Sequence, residues 1–157
     1  MSLSAPRILL VGLGRFGRQH LEEWRKLSAA GQARLVGAVA SSAAGAERRA
    51  REFGLPVHGA LTGELLDSVD AVDIATPAAS HYALIARCLE RCDVFAEKPL
   101  ATSDAQCADL AEQAERSGRL LMANHLYRYH PLTGPLTERI RLSGESPRFV
   151  RGRLLNP

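Results

Sequence analysis

The sequence predicts an α/β fold in which helices cover both faces of a doubly wound parallel sheet. Two observations support this fold class. Short apolar segments alternate along most of the 157 residues with segments whose apolar residues recur every three or four positions. Glycine or proline residues separate many of these segments. Repeated strand–helix alternation is typical of a parallel sheet, because each crossover helix packs back onto one face of the sheet.

The chain begins with a predicted strand and an amphipathic helix. Arg7–Val11 is short, apolar and followed by Gly12, which predicts a strand. Residues 15–28 predict a helix whose apolar face is formed by Phe16, His20, Leu21, Trp24 and Leu27. We expect Phe16 and Trp24 to lie in the core. The next predicted elements are a strand at Leu35–Ala40, a helix at Ala43–Phe53, a short strand at Val57–His58 and a helical turn at Leu61–Leu66.

The alternation continues up to Asn124 and then changes. The predicted strands are Ala71–Ala75, Val94–Ala96 and Leu120–Ala123, and the predicted helices are Ser80–Arg91 and Ser103–Ser117, the second capped by Ser103. Farther along, residues 125–130 are aromatic and basic, Pro131–Leu142 predicts a helix, and Pro147–Leu155 alternates like a strand. We therefore expect residues 1–124 to form one domain and residues 125–157 to form a connecting segment.

Composition argues against a membrane protein and against a nucleic-acid-binding protein. The longest purely apolar run, Ile8–Val11, is far shorter than the about 20 residues of a membrane-spanning helix, and we expect no secretory signal. The net charge is +3, and the basic residues are scattered without interleaved aromatic side chains. One cluster, Arg48, Arg49 and Arg51, suits a small phosphate at least as well as a nucleic acid.

The three cysteines do not form a metal-binding pattern. Cys88, Cys92 and Cys107 match neither a zinc spacing nor a CxxC motif. We therefore expect reduced thiols, no metal site and a cytoplasmic location, since disulfides persist mainly in oxidising compartments.

A glycine-rich motif, GxGxxG, spans Gly12–Gly17 between the first strand and the first helix. Gly12 permits a tight turn, Gly14 lets the backbone approach a pyrophosphate, and Gly17 lets the helix pack closely on the strand. The start of the helix then offers N–H groups and partial positive charge to phosphates. This context predicts dinucleotide binding by the whole motif, which also includes Leu13, Arg15 and Phe16, and favours it over a turn without a ligand.

The residues after the second strand bear on which dinucleotide is bound. An Asp or Glu usually stands at this position and binds the adenosine ribose of NAD, but this sequence has Ser41 and Ser42 there. Both hydroxyls can hydrogen-bond a 2′-phosphate, and Arg48 or Arg49 lies within reach in the following helix. We therefore predict NADP as the cofactor. If Ser41 and Ser42 only cap that helix, NAD binds as readily.

Three further segments resemble motifs of the glucose–fructose oxidoreductase and inositol dehydrogenase (Gfo/Idh/MocA) family. Residues 70–77, with His81 four positions later, resemble its DAVxIATPxxxH segment. Residues 94–101, VFAEKPLA, resemble its VxxEKPLA motif. Residues 121–125, together with His130 and Pro131, resemble its sixth strand and the segment that follows. The similarity covers about residues 6–155.

The resemblance implies a Rossmann domain followed by an open-faced α/β domain that supplies most of the substrate pocket and the oligomer interface. It implies oxidation or reduction of sugars, polyols or related small molecules with NAD(P).

The resemblance also places individual residues. It places the three motif glycines at the pyrophosphate, and Ala75, Thr76 and Pro77 beside the ribose on the nicotinamide side. Glu97 is placed near the nicotinamide and Lys98 toward the substrate. His81 either lies near the nicotinamide or packs the fourth helix, and the bond before Pro99 is expected to be cis.

The chemistry of Lys98 supports the same assignment. A lysine at the carboxyl end of a strand can take a proton from a substrate hydroxyl as the neutral amine, or polarise a carbonyl oxygen as the ammonium group. The alternative is an ordinary surface lysine, although the chain has only one other, Lys26. A lysine also shifts its pKa readily when it is buried, which suits a proton-transfer role.

The resemblance also implies that part of the catalytic machinery lies beyond Pro157. Family members carry the Asp and His partners of the lysine after the equivalent position. We therefore expect residues 125–157 to begin a truncated C-terminal domain, this chain alone to be inactive, and the complete protein to be a homo-oligomeric dehydrogenase. The alternative is a freestanding, non-catalytic NAD(P)-binding module.

Overall fold

A parallel sheet organises the chain in the computed structural model, which describes residues 4–144 and 146. Its strands are β1 (Arg7–Val11), β2 (Arg34–Val39), β3 (Val57–His58), β4 (Ala71–Ile74), β5 (Asp93–Ala96) and β6 (Leu121–Ala123). The six strands lie in the order β3-β2-β1-β4-β5-β6, and every neighbouring pair is parallel. The direction of strand addition reverses between β1 and β4, as in a doubly wound Rossmann sheet. The predicted fold class is confirmed.

Helices connect the strands at most crossovers. They are α1 (Arg15–Ala29), α2 (Ala43–Phe53), α3 (Gly63–Asp67), α4 (His81–Leu89), α5 (Asp104–Ser117) and α6 (Thr133–Ser143). The predicted bounds of α2 and β3 are reproduced without change. The other bounds shift by no more than two residues; α4, for example, follows a 3-10 turn at Ala78–Ser80 and ends at Leu89, two residues before the predicted end. None of the described helices is long and apolar enough to cross a membrane.

Side chains cap the starts of three of the six described helices. The Ser42 hydroxyl accepts a hydrogen bond from the Gly45 N–H at the start of α2, and Thr62 caps α3 in the same way. Ser103 accepts from the Gln106 N–H at the start of α5, so the predicted cap is confirmed. Each cap satisfies one of the backbone N–H groups that a helix start leaves without a partner.

The core is divided between the two faces of the sheet. Successive strand residues point to opposite faces, so Leu9 belongs to the cluster with Ile85 and Leu110, whereas Leu10 belongs to a second cluster with Leu21. All five of these side chains are fully buried. Burial of both faces explains why the central strands read as continuous apolar runs.

One core assignment from the amphipathic pattern is wrong. Phe16, in the first turn of α1, is 52% exposed. Leu21, more than one turn later, is fully buried. Trp24 is only half-buried.

The chain divides into two units between Asn124 and His125. In the second unit, the described residues form a 3-10 turn at Leu126–Tyr129 followed by α6. Leu132, Leu136 and Leu142 are exposed on this unit. The strand predicted at Pro147–Leu155 lies outside the described residues.

The turn between β1 and α1 requires glycine at two positions. Gly12 has a φ of 101°, and a Cβ atom there would lie 2.7 Å from the Ala75 carbonyl oxygen. A Cβ atom at Gly17 would lie 2.0 Å from the Gly12 carbonyl oxygen. A Cβ atom at Gly14 would have no atom within 4 Å. The fold therefore depends on Gly12 and Gly17, whereas Gly14 leaves open space in front of the backbone.

Two alanine substitutions separate these roles. Gly17→Ala should lower the free energy of unfolding by about 3 kcal/mol or prevent folding, because backbone must move to admit the methyl group. Gly14→Ala, the matched control in the same turn, should change it by less than about 1 kcal/mol. Urea unfolding followed by circular dichroism measures both values. Equal losses in the two variants would contradict this assignment.

Candidate functional site

A cavity of about 620 Å³ opens at the carboxyl edge of the sheet. The glycine turn forms one wall, and Ser41, Arg48 and Arg49, which follow β2, form another. Thr76 and Pro77, which follow β4, lie on the third side. We call this space the larger cavity. Carboxyl ends of parallel strands meet at one edge of the sheet, which is where Rossmann folds bind their ligands.

A second space of about 340 Å³, the smaller cavity, lies on the other side of the glycine turn. Arg15 and Phe16 line it from the start of α1, and Glu97 and Lys98 line it from the loop after β5. It shares Gly14 and residues 75–77 with the larger cavity. The two cavities therefore adjoin across the point where strand order reverses.

Backbone hydrogen bonds continue just beyond the ends of the strands and bring the loops after β1, β2, β4 and β5 together. The Gly12 N–H donates to the Val39 carbonyl oxygen over 3.0 Å, and the Ala75 N–H donates to that of Val11 over 2.8 Å. The Glu97 N–H donates to the Ile74 carbonyl oxygen over 2.8 Å. Residues separated by up to 87 positions in sequence, Val11 and Lys98, thus come to line adjoining cavities.

The residues after β2 have different environments. Ser41 is exposed and lines the larger cavity, whereas the Ser42 hydroxyl is used as the cap of α2. Arg49 pairs with Glu52 at 3.2 Å and lies over the Phe53 ring. Arg48 is exposed to the larger cavity and has no ion pair among the described residues. Arg48 is thus the cation free to bind an anionic group there.

The loop after β5 has the predicted backbone geometry. The Lys98–Pro99 peptide bond is cis, which confirms the expectation drawn from the family resemblance. Lys98 is exposed and lines the smaller cavity, with no ion pair to any described residue. Its ammonium group is therefore free to meet a ligand.

His81 lies behind this edge and lines neither cavity. It is 1% exposed, and its Nε2 and Nδ1 lie 2.8 Å from the Thr76 carbonyl oxygen and 2.7 Å from the Pro99 carbonyl oxygen. The ring therefore links the loop after β4 to the loop after β5. This position corresponds to the packing alternative for His81, at the first residue of α4.

A buried polar group beside the smaller cavity was missed by the sequence analysis. Asp73, a strand residue with no exposed surface, lies 2.8 Å from His20 Nδ1 and accepts a 2.6 Å hydrogen bond from the Trp24 indole N–H. His20 Nε2 lies 3.1 Å from Glu97 Oε1, which also accepts a 2.6 Å hydrogen bond from the Asn124 amide. The only available signal was a carboxylate inside an apolar strand, since buried charges need partners.

Two carboxylates favour the charged form of the His20 ring and so raise its pKa. The hydrogen bond to Asp73 is the largest contribution that raises the pKa of His20, and burial of the ring opposes it. The charge of Asp73 and the contact with Glu97 raise the pKa further. The imidazolium form donates from both nitrogens, so it satisfies both carboxylates at once.

The pH dependence of stability tests this contact. Because the folded-state pKa of His20 is raised, its stabilisation is fully present below the ordinary value of about 6.5 and is lost as pH rises through the folded-state pKa. The free energy of unfolding of the wild type should therefore exceed that of His20→Gln most at about pH 6 and least at high pH. Urea unfolding across this range measures the difference. His58→Gln, at an exposed histidine, is the matched control, and a pH-independent difference for His20→Gln would contradict the assignment.

Comparison with known proteins agrees with this geometry. The chain is 30% identical over 128 residues to 4-carboxy-2-hydroxymuconate-6-semialdehyde dehydrogenase from Sphingobium sp., covering 80% of this chain and 40% of that protein. It is 33% identical over 129 residues to D-apiose dehydrogenase from Paraburkholderia graminis, covering 78% of this chain and 32% of that protein. The chain thus spans less than half the length of these curated relatives.

Solved structures show the same fold. A 3-ketoreductase from Actinomadura kijaniata, in complex with NADP, matches with a TM-score of 0.71 and 27% identity, over 88% of this chain and 42% of that one. A dehydrogenase from Chromobacterium violaceum, in complex with NADH, matches with a TM-score of 0.80 at 23% identity, over 91% of this chain and 41% of that one. The family model described as "Oxidoreductase family, NAD-binding Rossmann fold" matches residues 6–125. This chain therefore belongs to the Gfo/Idh/MocA oxidoreductase family, of which it carries the NAD(P)-binding Rossmann domain.

Proposed function

We propose that this Rossmann domain binds NADP across the two adjoining cavities and serves hydride transfer to or from a sugar, polyol or related hydroxy or carbonyl compound. The observation that carries the proposal is the arrangement of charge along one sheet edge. Arg48 lies in the larger cavity, and Glu97 and Lys98 lie in the smaller one. The glycine turn and the start of α1 lie between them.

The middle of the site fits a pyrophosphate. The space in front of Gly14 is empty of protein atoms to 4 Å, so the backbone there is open to a phosphate. The first backbone N–H groups of α1 lack helical partners and carry partial positive charge. Arg15 adds a cation at the same place. We assign Gly12–Gly17 to the diphosphate, with the adenosine half in the larger cavity.

The larger cavity suits the phosphorylated adenosine ribose of NADP. Among the described residues that line it there is no carboxylate, so nothing there repels a 2′-phosphate. Ser41 offers a hydroxyl, and Arg48 offers an unpaired guanidinium whose fork matches phosphate oxygens. Ser42 has a lesser part in this assignment, because its hydroxyl already caps α2.

Cofactor titrations test the preference for NADP. NADPH should bind more tightly than NADH, and Arg48→Ala should weaken NADPH binding about tenfold while leaving NADH binding unchanged, because it removes one charge-assisted contact. Arg51→Ala, which removes the same charge from the same helix outside the cavity, is the matched control. Fluorescence titration of each variant measures the dissociation constants. Tighter binding of NADH by the wild type would contradict the NADP assignment and leave the fold unaffected.

Lys98 is the candidate for proton transfer at the substrate oxygen. The bound nicotinamide would supply or accept the hydride, and the smaller cavity is the space that remains for it and the substrate. As the neutral amine Lys98 can take a hydroxyl proton there, and as the ammonium group it can polarise a carbonyl oxygen, whereas the nearby Arg15 stays protonated and cannot accept a proton. Lys98 makes no ion pair with described residues, so its charge is available to the substrate.

The two lysines of the chain provide a direct comparison. Lys98→Ala should leave NADPH affinity nearly unchanged and lower kcat by at least about 10²-fold in the substrate-oxidising protein, as expected for loss of a proton-transfer group. Lys26→Ala, at an exposed position in α1 paired with Glu23, should change neither. Steady-state kinetics combined with cofactor titration measures both quantities. An unchanged kcat in Lys98→Ala would remove Lys98 from the mechanism.

The proposed substrate class is based on the substrates that the relatives are named for. D-apiose dehydrogenase acts on a sugar, and scyllo-inositol 2-dehydrogenase from Bacillus subtilis, which is 28% identical over 137 residues, acts on a polyol. We extend this substrate class to the protein that contains this domain. A cytoplasmic location and a homo-oligomeric assembly stay predictions from the sequence.

A further inference from the structure

Among the described residues, only His20 contacts both a fully buried carboxylate, Asp73, and a carboxylate that lines the smaller cavity, Glu97. Its Nδ1 lies 2.8 Å from Asp73 and its Nε2 lies 3.1 Å from Glu97. The His20 side chain is 11% exposed and that of Asp73 is 0% exposed. Its ring also stacks on Phe95, with centroids 6.0 Å apart. The ring is thus held between two elements of the sheet and cannot turn away from either carboxylate.

The contacts of Glu97 involve one of its two carboxylate oxygens and leave the other without a hydrogen bond to the described residues. Glu97 Oε1 receives both the His20 contact and the hydrogen bond from Asn124. Oε2 has no hydrogen-bond partner among the described residues, and Glu97 lines the smaller cavity. A carboxylate fixed in this way offers Oε2 as an acceptor. The carboxamide of a nicotinamide is a donor of N–H groups and matches this acceptor.

We propose that His20 is a positioning residue, which bridges Asp73 and Glu97 and so holds the Glu97 carboxylate where it binds the nicotinamide half of the cofactor. This inference rests on the proposed binding of NADP across the two cavities. Loss of the bridge leaves the Glu97 carboxylate held by the Asn124 amide alone, so it can turn about that one contact, which weakens the contact with the nicotinamide half only. The adenosine half lies across the glycine turn, so its affinity does not depend on His20.

The experiment compares two ligands that differ in the nicotinamide. NADPH contains it, whereas 2′-phospho-ADP-ribose has the same adenosine, 2′-phosphate and diphosphate without it. Calorimetric titration should show that His20→Gln weakens NADPH binding about tenfold, the effect of losing one charge-assisted hydrogen bond. The same variant should change the affinity for 2′-phospho-ADP-ribose less than twofold. His58→Gln, at an exposed histidine that lines neither cavity, should change neither affinity.

A double-mutant cycle tests whether His20 acts through Glu97. Glu97→Gln should cause the same selective loss, and the double variant His20→Gln/Glu97→Gln should lose no more NADPH affinity than Glu97→Gln alone. Additive losses would overturn the proposal. Equal weakening of both ligands by His20→Gln would also overturn it, because that result indicates a general structural effect.

The pH dependence of ligand affinity distinguishes a positioning role of His20 from a purely structural one. The charged groups that face His20 are Asp73 from β4 and Glu97 after β5, and its neighbour Trp24 on α1 is uncharged. The ratio of NADPH affinity to 2′-phospho-ADP-ribose affinity should therefore fall as pH rises and His20 loses its proton. Because both ligands carry the same phosphates, their own titration cancels in this ratio. A ratio that is constant with pH in the wild type would overturn the proposal.

Failure of the proposed function has a different signature. If the wild type binds neither ligand, NADP binding by this domain is wrong and the inference falls with it. If the wild type binds both ligands with equal affinity, NADP binding stands, but Glu97 makes no contact with the nicotinamide half, and only the role of His20 is overturned.

Discussion

Helix α1 approaches the turn after β1 so closely that a methyl group at Gly17 would lie 2.0 Å from the Gly12 carbonyl oxygen. This approach fixes where the helix begins and which way its faces point. Its first turn lies between the two cavities, where its unpaired N–H groups meet the space in front of Gly14. Residues 20 and 24 share a face one turn apart, so the same packing directs both toward Asp73.

Two histidines make the binding edge rigid in different ways. His81 joins the loops after β4 and β5 through their carbonyl oxygens, Thr76 and Pro99. His20 joins the strand residue Asp73 to Glu97 through side chains. The His81 ring gives the two loop carbonyl oxygens hydrogen-bond partners that the strand ladder does not supply.

The charges along this edge are divided between structural and available groups. Arg49 pairs with Glu52, and the Ser42 hydroxyl accepts a hydrogen bond at the start of α2, so both side chains also stabilise the fold. Arg48 and Lys98 have no ion pair among the described residues and lie in different cavities. Exposed cations without partners cost the fold little, since surface ion pairs contribute about 0–1 kcal/mol. The protein therefore keeps cations at this edge at little cost in stability.

The order and type of the elements could be predicted from the sequence, because the period of apolar residues and the capping residues act over a few neighbouring positions. The bounds of α2 and β3, the Ser103 cap and the tight turn at Gly12 all follow from such local rules. The exposure of Phe16 and the two carboxylate contacts of His20 depend on how distant elements pack, since helical periodicity identifies a face but not what packs against it. The partners of His20 are 53 and 77 residues away in sequence, and the strand order together with the packing of α1 on the sheet brings them within reach of one ring.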